Sequence, residues 1–145
     1  MWDSIGYSVP ALLGACLADQ RRRHILVVGD GSFQVTAQEL STILRHELAP
    51  IIILLNNGVY LIENIMQPGS FKAMDYDKIH TRNYCQLQMD LAGTRKPLSL
   101  RVTTEEELAT AFEAAAQAQR EGRCTLMEGV LGAKDAPAMF KAKFG

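Results

Sequence analysis

Two uninterrupted apolar runs, Ile25-Leu26-Val27-Val28 and Ile51-Ile52-Ile53-Leu54-Leu55, stand out from the polar sequence around them. Each is short, rich in β-branched residues and closed by polar or glycine positions. This pattern predicts strands over His24–Val28 and Ile51–Leu55, buried on both faces as in a parallel sheet. Between them Leu40, Ile43, Leu44 and Leu48 recur at helical spacing, which predicts a helix over Ala37–Glu47 that ends before Pro50. Thr36-Ala37-Gln38-Glu39 has the form of a capping box at its start. Strand, crossover helix and strand imply a right-handed βαβ unit.

The same logic extends in both directions. Leu12, Leu13, Cys16 and Leu17 predict a buried helix over Pro10–Ala18, where Pro10 suits the first turn because it needs no amide donor. Tyr60–Met66 reads as a short helix with Leu61, Ile62 and Ile65 inward. Residues 67–93 carry no clear period. Leu98–Val102 and Cys124–Val130 read as two further strands. The helix between them is opened by the Thr104-Glu105-Glu106-Glu107 box, carries Leu108, Ala109, Phe112, Ala115 and Ala116 on its apolar face, and closes at Gly122. From Gly132 onward the chain reads as a solvated tail. Alternating strands and helices predict a three-layer α/β/α fold on a mainly parallel sheet. Ligands of such sheets bind beyond the carboxyl ends of the strands.

Composition narrows the class. At 145 residues and 48% hydrophobic content, one globular domain with a sizeable core is expected. Fifteen basic against sixteen acidic residues leave a net charge of −1, which gives no support for nucleic-acid binding. Arg21-Arg22-Arg23 reads as a solvated turn. Cys16, Cys85 and Cys124 are odd in number and lack paired spacing, as reduced thiols of a cytoplasmic protein would be. His24, His46 and His80 show no metal-ligand spacing. The sequence opens on no charged-then-apolar leader, and no apolar run approaches the ~18 residues of a membrane span.

The first strand runs into Gly29-Asp30-Gly31-Ser32-Phe33-Gln34. A dinucleotide fingerprint would need glycine where Gln34 stands, and no Gly-Lys-Ser/Thr follows, so neither a Rossmann motif nor a P-loop is present. A lone Gly-Asp-Gly is most often a strand-to-helix turn. Here, however, the next strand closes on Asn56-Asn57, with residues 32–55 between the two motifs, a span of 24.

Gly-Asp-Gly, that interval and Asn-Asn resemble the signature of thiamine diphosphate enzymes. Residues 29–42, Tyr60-Leu61-Ile62-Glu63 and the opening Trp2-Asp3-Ser4-Ile5-Gly6 resemble the branch of 2-oxo-acid decarboxylases acting on pyruvate, indolepyruvate or phenylpyruvate. The similarity is clear over residues 2–66 and weaker to about residue 137. It implies the diphosphate-binding domain of such an enzyme, lacking its first strand, with thiamine diphosphate and Mg²⁺ as cofactors. Mg²⁺ favours hard oxygen ligands in a compact octahedron. The resemblance makes Asp30, Asn57 and the main-chain carbonyl of Val59 its protein ligands. Gly29, Gly31 and Ser32 would approach the diphosphate, where the next helix presents its first turn. Asp3, Ser4, Ile5, Tyr60 and Ile62 would contact the rest of the cofactor, Ile5 holding it bent. Glu63 would assist protonation at the reacting carbon. Asn56 reads as holding the turn.

Three departures from the family pattern stand out. Glycine is usual at the Asp3 and Val59 positions, and Ile65-Met66-Gln67 replaces the family's Ile-His-Gly. The family's activating glutamate and its catalytic histidines belong to the pyrimidine-binding domain of another chain and have no counterpart here. The resemblance therefore implies a domain with negligible turnover by itself, oligomeric or aggregation-prone, whose complete site would take a small 2-oxo acid. Two other readings have this chain as one subunit of a split thiamine enzyme or as a non-catalytic remnant used for binding. An acetolactate synthase-like enzyme fits less well, because of Glu63.

Overall fold

The computed structural model describes residues 4–67 and 76–139. Its elements are α1 (Ser8–Ala18), β1 (Ile25–Gly29), α2 (Asp30–Val35), α3 (Glu39–Arg45), β2 (Ile51–Asn56), α4 (Leu61–Met66), α5 (Tyr84–Ala92), β3 (Leu98–Val102), α6 (Glu105–Arg120) and β4 (Thr125–Val130). The four strands form one parallel sheet in the order β1-β2-β4-β3. The predicted α/β architecture is therefore present.

Alternation along the strands divides the sheet into two faces. On one face Val28, Ile52, Leu54 and Leu126 pack with Val9, Leu12 and Cys16 of α1, Phe33 of α2, Leu40, Ile43 and Leu44 of α3, and Tyr84 and Ala92 of α5. Each large side chain buried there contributes on the order of 1.5–3 kcal/mol. The opposite face is smaller. Ile51, Val102 and Met127 meet Ala111 and Ala115 of α6.

β1 departs from the expectation of burial on both faces. Its Val28 is buried, whereas Ile25 and Val27 on the second face are 57% and 58% exposed. β1 is an edge of the sheet, and α6 contacts β3 and β4 rather than β1.

The helices correct the sequence reading in four places. The first crossover contains two short helices instead of one spanning Ala37–Glu47, because α2 begins at Asp30, directly after the strand. The Thr36–Glu39 box is not made: no side chain caps α3, and the Thr36 hydroxyl donates to the Gly6 carbonyl at 2.8 Å. In α6 the buried positions are Ala111, Ala115 and Ala118, while Ala109 is exposed and Phe112 is 46% exposed. Small side chains let this helix lie close to the sheet, and the ring is turned outward. The unreadable stretch contains α5, capped by Asn83, whose side chain accepts from the Gln86 amide at 2.9 Å. The Thr104–Glu107 capping box forms as expected.

Among the described residues no helix is long and apolar enough to cross a membrane. Cys16, Cys85 and Cys124 are free thiols.

Candidate functional site

Parallel pairing aligns the carboxyl ends of β1 and β2. Gly29 lies opposite Leu55, so Asp30 and Asn56-Asn57 leave the sheet side by side. Beyond them opens a cleft of about 540 Å³, lined by Gly29, Asp30, Gly31 and Ser32 from the first loop and by Asn57, Val59 and Tyr60 from the second.

Asp30 is the first residue of α2 and only 2% exposed. Its Oδ2 accepts the Gly58 amide at 3.0 Å, which ties the first loop to the second. Burial pushes its carboxyl above the ordinary carboxylate range, against the lowering effect of the amides of Gly58, Gly31 and Asp30 itself. Asn57 Oδ1 accepts the Val59 amide at 3.2 Å. Val59 forms an antiparallel bridge with Lys78, whose bonds run through its neighbours: Tyr60 donates to the Asp77 carbonyl at 2.7 Å and Ile79 donates to the Gly58 carbonyl at 2.9 Å. In such a bridge the N–H and C=O of Val59 itself face away from the Lys78 segment. They face the side on which Asn57 receives the Val59 amide. A carboxylate, an amide side chain and the Val59 main chain thus all belong to one cleft wall.

These are hard oxygen donors of the kind Mg²⁺ takes, so the residues present fit the cation. Among the described residues no three His, Cys, Asp or Glu side chains form a metal-binding group, and this donor set contains only one such side chain.

Gly31 is required by its surroundings. A Cβ there would overlap the Tyr60 ring and come within 2.8 Å of Ile79 Cδ1. Phe33, fully buried, holds α2 in place by an edge-to-face contact with Tyr84, the ring centroids 5.9 Å apart. Ser32 carries a second tie, its Oγ accepting the Gly6 amide at 3.0 Å. Gly6 has φ +83°, and a Cβ on it would lie 2.5 Å from Val35 Cγ1. This pair of bonds from α2 and Thr36 brings the opening segment to the cleft, where Ile5 forms part of the wall although 56% exposed.

The remaining positions separate. Ser4 is exposed and does not line the cleft, and Asp3 lies outside the described residues. Ile62 lines the cleft at 42% exposure. Glu63 is exposed and not part of the cleft wall. It sits on α4, a six-residue helix with no buried side chain, so the inward packing expected of Leu61, Ile62 and Ile65 is not deep.

Two features escaped the sequence reading. Leu131, Asp135, Ala136 and Pro137 close one side of the cleft, although this stretch read as solvated tail. Asn56, expected to hold the turn, is bonded across the sheet to a buried carboxylate: its Nδ2 donates to Glu128 Oε1 at 2.7 Å. The signal available for Glu128 was a charge inside the otherwise apolar run of β4.

Comparison with known proteins identifies the domain. Residues 1–128 match the family model described as thiamine pyrophosphate enzyme, C-terminal TPP binding domain. A probable pyruvate decarboxylase of Schizosaccharomyces pombe is 40% identical over 135 residues, covering 92% of this chain and 22% of that protein. An alpha-keto-acid decarboxylase of Mycobacterium tuberculosis is 36% identical over 139 residues, covering 96% of this chain and 24% of that protein. The chain thus spans about a quarter of the length of these relatives. The thiamine diphosphate-dependent 4-hydroxybenzoylformate decarboxylase of Rhodococcus jostii RHA1 shares the fold, with a TM-score of 0.72 at 24% identity over 90% of this chain and 24% of that one. The chain belongs to the thiamine pyrophosphate enzymes and carries their C-terminal cofactor-binding domain.

Proposed function

We propose that this chain is the Mg²⁺–thiamine diphosphate-binding half of a non-oxidative 2-oxo-acid decarboxylase of the pyruvate, indolepyruvate or phenylpyruvate type. The observation that carries the reading is the hydrogen bond from the Gly58 amide to Asp30, which joins the two loops beside the Asn57 turn closed by the Val59 amide. These bonds put Asp30 Oδ2 and Asn57 Oδ1, two of the oxygens named by the family signature, on the neighbouring amides of Gly58 and Val59, which supports the reading. The relatives' names support the choice of decarboxylase.

In this reading Asp30, Asn57 and the Val59 carbonyl would hold the cation, whose charge would favour the diphosphate beside it. Gly29, Gly31 and Ser32 let the main chain come close to it, since no side chain stands at the two glycines. Ile5, Tyr60 and Ile62 supply apolar wall for the rest of the cofactor. When bound, the cofactor supplies the electron sink for loss of CO₂ from a 2-oxo acid. Glu63 handles a proton near the reacting carbon, and its exposure means that another surface must bring it there. That surface is the pyrimidine-binding domain of another chain, and turnover by this chain alone is negligible.

Calorimetric titration of the chain with thiamine diphosphate tests the reading. Saturable binding in the presence of Mg²⁺ that disappears on chelation is expected. Absence of binding at millimolar cofactor with Mg²⁺ overturns it in favour of a remnant that uses the fold for other contacts.

A further inference from the structure

Glu128 is 2% exposed and stands on β4 among the most deeply buried residues of the sheet. Isolated buried carboxylates are strongly disfavoured, so one that persists has partners or a task. Its Oε1 accepts Asn56 Nδ2 at 2.7 Å, and its Oε2 faces the Cys85 thiol at 3.8 Å. Arg101, opposite it on β3 and 63% exposed at its side chain, approaches Oε1 at 3.9 Å, too far for a strong bond. Its strongest bond therefore goes to Asn56, a neutral amide one residue before Asn57. The Asn56 main chain is pinned as well, its carbonyl accepting the Leu131 amide at 2.8 Å.

Glu128 is also close enough to Asp30 for its charge to help raise the Asp30 carboxyl. The proposed donor set carries one carboxylate, Asp30, for a doubly charged cation, with Asp135 elsewhere on the cleft wall, and the buried carboxylate behind Asn56 adds a negative charge to it.

We propose that Glu128 is the non-ligating anion of the cation clamp. It fixes the end of β2 through Asn56, so that Asn57 is presented in one orientation, and its field raises divalent-cation affinity. This rests on the cofactor-clamp reading given above. Groups that orient ligands and tune a site from behind commonly matter about tenfold or more to metal affinity. Arg101 follows with the opposite sign: as the cation facing Glu128 at the sheet surface, it partly cancels that field, and its removal tightens cation binding.

The test is titration of the full chain with Mn²⁺ in the presence of thiamine diphosphate, followed by the loss of the free-ion electron paramagnetic resonance signal. Glu128→Gln keeps an acceptor for Asn56 and deletes the charge, and it is expected to weaken Mn²⁺ binding about tenfold. Arg101→Gln, a change at an exposed side chain, is expected to tighten it about two- to threefold, and to do nothing when Glu128 is already Gln. A carboxylate that only packed the strand would give no such tightening. Wild-type affinity in Glu128→Gln, or no change in Arg101→Gln, overturns the proposal while the clamp reading stands. A wild-type chain that takes up no Mn²⁺ overturns the clamp reading and this proposal together.

Discussion

Asp30 and Glu63 are the two carboxylates that the family signature singles out, and the fold treats them oppositely. Asp30 is buried where β1 runs into α2, accepts a main-chain amide from the loop after β2, and begins the helix that Phe33 anchors against Tyr84. Glu63 stands exposed on a short helix that buries nothing. The group that would hold the cation in the proposed clamp is placed by the carboxyl ends of the sheet. A group that moves a proton needs close approach to one atom, and nothing among the described residues enforces that approach for Glu63. Under the proposed function, the holding half of the site is built into the domain, and the reacting half depends on what packs against α4.

The sharpest way to break this contrast is to remove its fixed side. Asp30→Ala deletes the one carboxylate among the ligands and is expected to weaken Mg²⁺-dependent cofactor binding by about 100-fold or more, read by calorimetry. Gly31→Ala should come next. The added methyl must displace the Tyr60 ring or Ile79, and a loss of about 1–3 kcal/mol in urea unfolding is expected, together with weaker cofactor binding.

A smaller effect separates the apo domain from its loaded form. Burial raises the Asp30 carboxyl, so the folded apo state holds the proton more readily than the unfolded chain. Its contribution to stability is therefore present at low pH and is lost as pH rises from the ordinary carboxylate value through the raised one. Comparing urea midpoints of wild type and Asp30→Asn across that window isolates this slope, and saturating Mg²⁺ with cofactor should reverse it. Smallest of all is Glu63→Gln. With the side chain exposed, stability should change by less than about 0.5 kcal/mol, and cofactor affinity in this chain should not move. A large loss of binding in that variant would mean that Glu63 already reaches into the cleft.

The same division governs what could be read from the sequence. The strands were legible because buried parallel strands are written as continuous apolar runs, and the two motifs of the proposed clamp were legible because both sit at strand ends, at the interval of the family they resemble. α5 was not. Its buried positions are Tyr84, Gln88 and Ala92, and the polar Gln88, fully buried and bonded to Ser99, interrupts the apolar period. The outer face of β1 was misjudged for a related reason: Ile25 and Val27 are apolar whether or not anything covers them. The wall formed by Leu131 and Asp135–Pro137 follows from where β4 ends, which is tertiary information that no local pattern carries. Glu128 is a middle case. A lone charge in an apolar strand is visible, but its pairing with Asn56, 72 positions away, is not.

The central claim is that this chain holds the cofactor without turning substrate over. Its most direct test is the rate of CO₂ release from pyruvate, indolepyruvate and phenylpyruvate by the chain at concentrations of Mg²⁺ and thiamine diphosphate shown to saturate it. The account predicts full cofactor occupancy with no release above the protein-free control. Sustained release by the chain alone would contradict it.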